Sequence, residues 1–183
     1  GSRAKVAAAA YELDTSVARL VVALKRLDLY NSTVLFFFSD NGATLGQAGG
    51  GSNYPLRGEK KYLYEGGVRV HGFIHSTMIP ESRRGATYPH LFHVSDWLPT
   101  IFTGILHAAP GLLGEMDGVD HWKHMIDPEQ TSGSPRTEIL HNIDLWSLYQ
   151  YGNMTLLSTP VQAIRVGDWK LFTGQDASKW YEP

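Results

Sequence analysis

Apolar residues recur every three to four positions near the start of the chain, at Val6, Ala10, Leu13, Val17, Leu20, Val21, Leu24 and Leu27. Polar Glu12, Asp14, Arg19, Lys25 and Arg26 fall between them. This spacing, in an alanine-rich stretch, predicts one long amphipathic helix from Ala4 to about Leu29. Asn31 and Ser32 break the pattern. Thr33 to Phe38 is then continuously apolar, β-branched and aromatic, and bounded by turn formers. Such a run predicts a strand buried on both faces, as in a parallel sheet flanked by helices. Its carboxyl end delivers Asp40 and Asn41 to the edge where open α/β sheets hold ligands.

The pattern loosens from Gly42 to Gly58, which reads as a long glycine-rich loop of the kind usually tied to function. Val68 to His75 is expected to be a second strand, interrupted at Gly72. Ser95 is placed to cap a helix that tolerates Pro99 near its first turn and continues through Ile101, Phe102 and Ile105. Gly104 to Pro135 reads as a connecting region with one short helix around His121 to Met125. Glu138 to Asn142 predicts a strand. Gln162 to Val166 and Trp169 to Phe172 flank Gly167-Asp168 as a tight hairpin would. The period thus divides the chain into an α/β part, residues 1–135, and a small antiparallel part, residues 136–183.

Composition narrows the class. The chain has 183 residues, is 43% hydrophobic and 19% charged, and carries a net charge of −2, which suits a soluble globular protein. Lysine and arginine are dispersed, so there is no nucleic-acid footprint, and no apolar run is long enough to span a membrane. The absence of cysteine excludes disulfides, thiolate metal sites and thiol nucleophiles from these residues. Asn31-Ser32-Thr33 and Asn153-Met154-Thr155 fit the N-glycan acceptor pattern, which points towards secretion.

Single motifs leave the chemistry open. Asp40-Asn41-Gly42 suits a turn. Taken alone it is more often that than a ligand, though its oxygens would suit a hard cation such as calcium, which wants about six to eight and would take two or three here. Lys60 and Lys61, with Arg57, Glu65 and Arg69 nearby, fit a solvated or ion-paired surface better, in isolation, than an anion site. His121 and His124 have a spacing that binds transition metals, but no third ligand is arranged with them. His71, His75, His90 and His93 lack the serine and aspartate partners of a hydrolase triad. There is no phosphate-binding loop and no dinucleotide fingerprint.

Taken in order, "FFFSDNGA", "GSNYPLRGEKKYLYEGGVRVHGF", "HVSDWLPTIF", "MDGVDHWK", "SPRTEILHNID" and "AIRVGDWKLFTG" resemble the second half of a type I sulfatase. The similarity is greatest to the arylsulfatase B-like (N-acetylgalactosamine-4-sulfatase) enzymes. It implies an alkaline-phosphatase-like α/β sandwich followed by a small C-terminal antiparallel α+β subdomain. It also implies that Asp40 and Asn41 are calcium ligands, that Lys60 contacts the sulfate, and that Asn31 is a glycan site. Lys61 stands where relatives often carry an aromatic residue, so which of the two lysines faces the site stays open. The implied substrates are aryl sulfates or sulfated sugars, and the implied location is lysosomal or secreted.

The departures are equally specific. The family's nucleophile is a formylglycine made from the cysteine of C-x-P-S-R, and this chain has no cysteine. The remaining aspartate ligands, and the histidine and lysine that serve the nucleophile and leaving group, belong to an upstream half that these residues do not include. The resemblance therefore implies a chain that needs that half as its partner and is inactive alone. It also predicts an exposed apolar sheet edge that promotes self-association. Two other readings remain: a non-catalytic sulfatase-like binding protein, and a phosphoryl-transfer member of the superfamily. "YPLRGEK" and "EGGVR" favour the sulfatase branch.

Overall fold

The computed structural model describes residues 1–45, 49–127, 133–144, 147–151, 154–158 and 161–174. They form two compact units, one carrying Gly1–Met78 and the other Ile79–Thr173.

The first unit opens with helix α1, Ser2–Arg26. It ends three residues short of the expectation because Asp28 adopts a left-handed backbone, φ 56°. The Asp28 N–H donates to Lys25 O at 3.2 Å and the Leu29 N–H to Leu24 O at 2.9 Å. That pairing is a Schellman ending, with aspartate in the place glycine usually takes. Lys25 and Arg26 occupy the last turn, where the helix dipole favours cations. No residue of α1 is buried. Leu13, Leu20 and Leu27 of the apolar stripe are exposed.

Strand β1, Val34–Phe38, pairs antiparallel with β2, Gly72–Ser76, in register Val34↔Ser76 to Phe38↔Gly72. The Phe37 and Phe73 rings stack across the pair at 5.1 Å. β1 departs from the fully buried parallel strand expected: its first four residues are half-buried and Phe38 is exposed. Among the described residues it has a single strand neighbour, and two strands cannot enclose an apolar run on both faces. β2 also starts later than expected. Glu65–Val68 forms a short helix, α2, because the N–H groups of Gly67 and Val68 turn back to Tyr64 O at 2.8 and 3.2 Å.

In the second unit a 3₁₀ turn, Val94–Asp96, leads into α3, Trp97–Pro99, and a π-helical continuation, Thr100–Ile105. The cap is His93 rather than Ser95. Its Nδ1 accepts from the Ser95 N–H while Asp96 Oδ2 accepts from the His93 N–H at 2.7 Å, a reciprocal capping box. The short helix α4 spans Trp122–Ile126, close to its expected place. Strands β3 (Glu138–Asp144), β4 (Ser147–Tyr151), β5 (Met154–Ser158), β6 (Val161–Val166) and β7 (Trp169–Thr173) follow. β3-β6-β7 make one antiparallel sheet and β4-β5 another. The hairpin expected around Gly167 is present, with Val166 opposite Trp169 and Gly167 at φ 54°.

This unit is organised around a buried carboxylate. Asp96 is fully buried and accepts from Arg136 twice, Nε to Oδ2 at 2.8 Å and Nη2 to Oδ1 at 2.5 Å. The backbone N–H of Val119 adds a bond to Oδ1 at 2.9 Å. Arg136 also donates to Asp117 O and Glu138 O, so one ion pair joins the α3 cap, the 117–119 loop and the start of β3. Burial pushes the Asp96 carboxyl upward, but the bonds from Arg136, His121, His93 and Val119 outweigh it and hold the group well below the usual carboxylate range. Buried His121 makes the weakest-aligned of these contacts, with Nε2 3.2 Å from Asp96 Oδ2. Tyr88, whose phenol burial and the Asp96 charge push up, stays protonated with its hydroxyl 2.7 Å from His121 Nδ1.

Candidate active site

The carboxyl end of β1 runs into Ser39, Asp40, Asn41 and Gly42, and each step is fixed by a local bond. Asp40 Oδ1 accepts from the Asn41 N–H at 2.8 Å. Asn41 Nδ2 donates to Gly42 O at 3.0 Å, and Ser39 Oγ donates to Asn41 O at 3.1 Å. With its amide nitrogen so engaged, Asn41 has Oδ1 left for another partner. Asp40 is exposed and Asn41 half-buried.

The loop is then sewn to the Arg57–Val68 stretch through backbone groups. Gly42 N–H donates to Gly67 O at 2.9 Å, and Gly66 N–H to Arg57 O at 2.7 Å. Lys60 N–H donates to Ala43 O at 3.2 Å. These bonds demand glycine by proximity. A Cβ on Gly42 would run into Gly66 O, one on Gly66 into Gly58 O, and one on Gly67 into Tyr62 O. All three obstacles are main-chain oxygens that cannot swing aside. Gly66→Ala is therefore expected to destabilise the unit by about 3 kcal/mol, at the upper end of overpacking costs. Urea unfolding would show this; a loss below about 0.5 kcal/mol, the size of an ordinary surface change, would contradict the contact.

Two polar side chains that sequence reading left unassigned complete the stitching. Asn53 accepts from Ala43 N–H at 2.8 Å and donates through Nδ2 to Ala43 O at 2.9 Å and Gly58 O at 3.1 Å. Glu59 Oε2 accepts from Leu45 N–H at 2.7 Å. The Arg57 guanidinium lies over the Tyr64 ring, 4.2 Å from its centroid. The signal for Asn53 was present in "GSNYPLRG", but a residue whose work is to bond main chain ten positions away leaves no spacing to read.

The sequence-derived residues are thus placed as follows. Asp40 and Asn41 are adjacent on the strand-end loop, and the Lys60 backbone is bonded to the residue two past Asn41. Lys60 and Lys61 are both exposed, Lys61 with a left-handed backbone, φ 86°. Asn31 is exposed in the turn before β1, where its carbonyl accepts from Thr77 Oγ1 at 2.9 Å. Asn153 lies outside the described residues. His121 and His124 gain no third metal-ligating side chain among the described residues. Among the described residues no three histidine, aspartate or glutamate side chains cluster to hold an ion.

As a fit for calcium, Asp40 and Asn41 supply hard oxygens of the right chemistry on a hydrogen-bonded loop, but only part of the shell that such an ion takes.

Comparison with known proteins gives this geometry its class. The sulfatase family pattern matches residues 1–104, and the chain belongs to that family. Arylsulfatase J of Mus musculus is 37% identical over 192 residues, covering all of this chain and 30% of its own length. N-acetylgalactosamine-6-sulfatase of Sus scrofa is 44% identical over 69 residues, 37% of this chain and 13% of the relative. The crystal structure of Ps i-CgsB in complex with k-i-k-neocarrahexaose superposes with a TM-score of 0.66 at 28% identity, over 89% of this chain and 32% of that one. The chain therefore spans about a third of the length of arylsulfatase J and of Ps i-CgsB. The fold is the alkaline-phosphatase-like α/β architecture with small antiparallel sheets.

Proposed function

We propose that this chain supplies the cation-holding and sulfate-gripping portion of a calcium-dependent sulfatase site, acting on aryl sulfates or sulfated sugars. What carries the reading is the pair of backbone bonds, Gly42 to Gly67 and Lys60 to Ala43, that draw the lysine segment onto the Asp40-Asn41 loop. Asp40 and Asn41 would hold the calcium ion, and the chemistry it would supply when bound is polarisation of the sulfate ester. Lys60 stabilises negative charge developing on the sulfate oxygens, where a fixed ammonium acts most strongly in a partly desolvated cleft. Of the two lysines Lys60 is preferred on the motif resemblance; its backbone N–H bonds the Ala43 carbonyl.

The nucleophile is not among these 183 residues, since they include no cysteine from which formylglycine could be made. The proposal therefore assigns turnover to this chain only together with a nucleophile-bearing half. Residues 1–135 contribute the core portion and 136–183 the small antiparallel subdomain. An arylsulfatase B-like specificity, a lysosomal or secreted location and glycans on Asn31 and Asn153 belong to the same reading, supported by motif resemblance and the sequons.

Purified as these 183 residues, the protein is expected to leave 4-nitrocatechol sulfate intact, while the product of the complete reading frame hydrolyses it with calcium. Calcium-dependent hydrolysis by the 183 residues alone would overturn the division of labour. A non-catalytic sulfatase-like binder is the competing reading, favoured by the missing cysteine. A reading frame without C-x-P-S-R would decide for it.

A further inference from the structure

We infer that Asn53 is the positioning residue of this site, setting the distance between the Asp40-Asn41 loop and the segment that carries Lys60; the inference rests on the sulfatase reading above. One carboxamide makes three bonds to main chain. It accepts from the Ala43 N–H, donates to Ala43 O and donates to Gly58 O. It thus behaves like one more residue of a β ladder, satisfying both backbone groups of Ala43 while holding the carbonyl two residues before Lys60.

The location matters more than the bond count. Ala43 is three residues past Asp40, and its carbonyl oxygen also accepts from the Lys60 N–H. Asn53 and Lys60 therefore share an acceptor, and movement of either shifts the other. The second stitch, Gly42 to Gly67, fixes the far end of the Lys60 segment and has no side chain in it. Unlike the glycines of the second stitch, Asn53 is a part of the frame that a substitution can loosen without forcing a backbone clash. No other residue type reproduces its bonds. Aspartate keeps the acceptor for Ala43 N–H and loses both donors, and glutamine carries the amide one methylene too far. Reactant misplacement by about 1 Å is enough to cost about 10²-fold in rate.

The test uses Asn53→Ala and Asn53→Asp in the product of the complete reading frame, read by hydrogen exchange and by kcat and KM on 4-nitrocatechol sulfate. For Asn53→Ala, exchange at the Lys60 amide is expected to rise about tenfold or more, as for a local opening, while β1–β2 amides change by less than about threefold. kcat should fall about 10–100-fold with KM within about threefold, since positioning acts on the transition state. Asn53→Asp should fall between alanine and the wild type in both readouts. Unchanged Lys60 exchange would overturn the inference, as would equal acceleration at β1–β2, which marks general destabilisation. Faster Lys60 exchange with unaltered kcat would overturn it too. If the unsubstituted protein shows no turnover, the sulfatase reading fails, and the exchange comparison alone then decides whether Asn53 holds the Lys60 segment.

Discussion

Asp96→Ala is expected to cost the fold about 3–5 kcal/mol, the range for removing one partner of a buried ion pair. The reason lies in what is left behind. Arg136, whose side chain is only 13% exposed, would lose two charge-assisted bonds. The N–H groups of His93 and Val119 would lose their acceptor, and the capping box at the head of α3 would open. Three segments distant in sequence depend on that one carboxylate. Urea unfolding followed by tryptophan fluorescence measures the loss; a change below about 1 kcal/mol, the scale of a surface pair, would show the node to be dispensable.

Acid should act on the same unit in two stages. Asp96 titrates below its ordinary value near 3.8, so its contribution is present above pH about 4 and lost only as pH falls through the lower folded value. His93 and His124 are lowered from 6.5, in each case first by burial. Lowered histidines favour the neutral form in the folded state, so their contribution is full above pH about 6.5 and declines as pH falls through their folded values. Thermal scans should therefore show a first decline as pH falls below about 6.5, before Asp96 is affected. A melting temperature that rises there would reverse the assigned sign.

Lys60→Ala is expected to lower kcat in the product of the complete reading frame by about 10²–10³-fold, the scale of losing one fixed donor to a developing anion. Stability should move little, because Lys60 is exposed and its backbone bond to Ala43 survives the truncation. Lys61→Ala should change kcat by less than about threefold, near the scale of a surface substitution. The reverse ranking would move the sulfate contact to Lys61.

Elements set by local pattern were legible in the sequence. The period of α1 placed that helix, the turn formers bounded β1, and Gly167-Asp168 announced the β6–β7 hairpin. Endings were less so, since the stop of α1 depends on Asp28 accepting a left-handed backbone that glycine usually takes. The cap of α3 went to His93 because Asp96, the residue expected inside the helix, reaches back as the other half of the box. At the site, Asp40, Asn41 and Lys60 could be named because resemblance assigned them chemistry. Asn53, Asp96 and Arg136 could not, because their roles come from main chain and partners 10 to 40 positions away. Long-range polar stitching leaves no periodicity for a reader to find.

Whether the strand-end loop and Lys60 grip one and the same ester is best measured by a double-mutant cycle of Asp40→Ala and Lys60→Ala, read as kcat/KM for 4-nitrocatechol sulfate at saturating calcium. If both act on one anion, the double variant should lose less than the product of the single losses, with a coupling of about 1 kcal/mol or more. Losses that multiply to within about 0.5 kcal/mol would contradict a shared site.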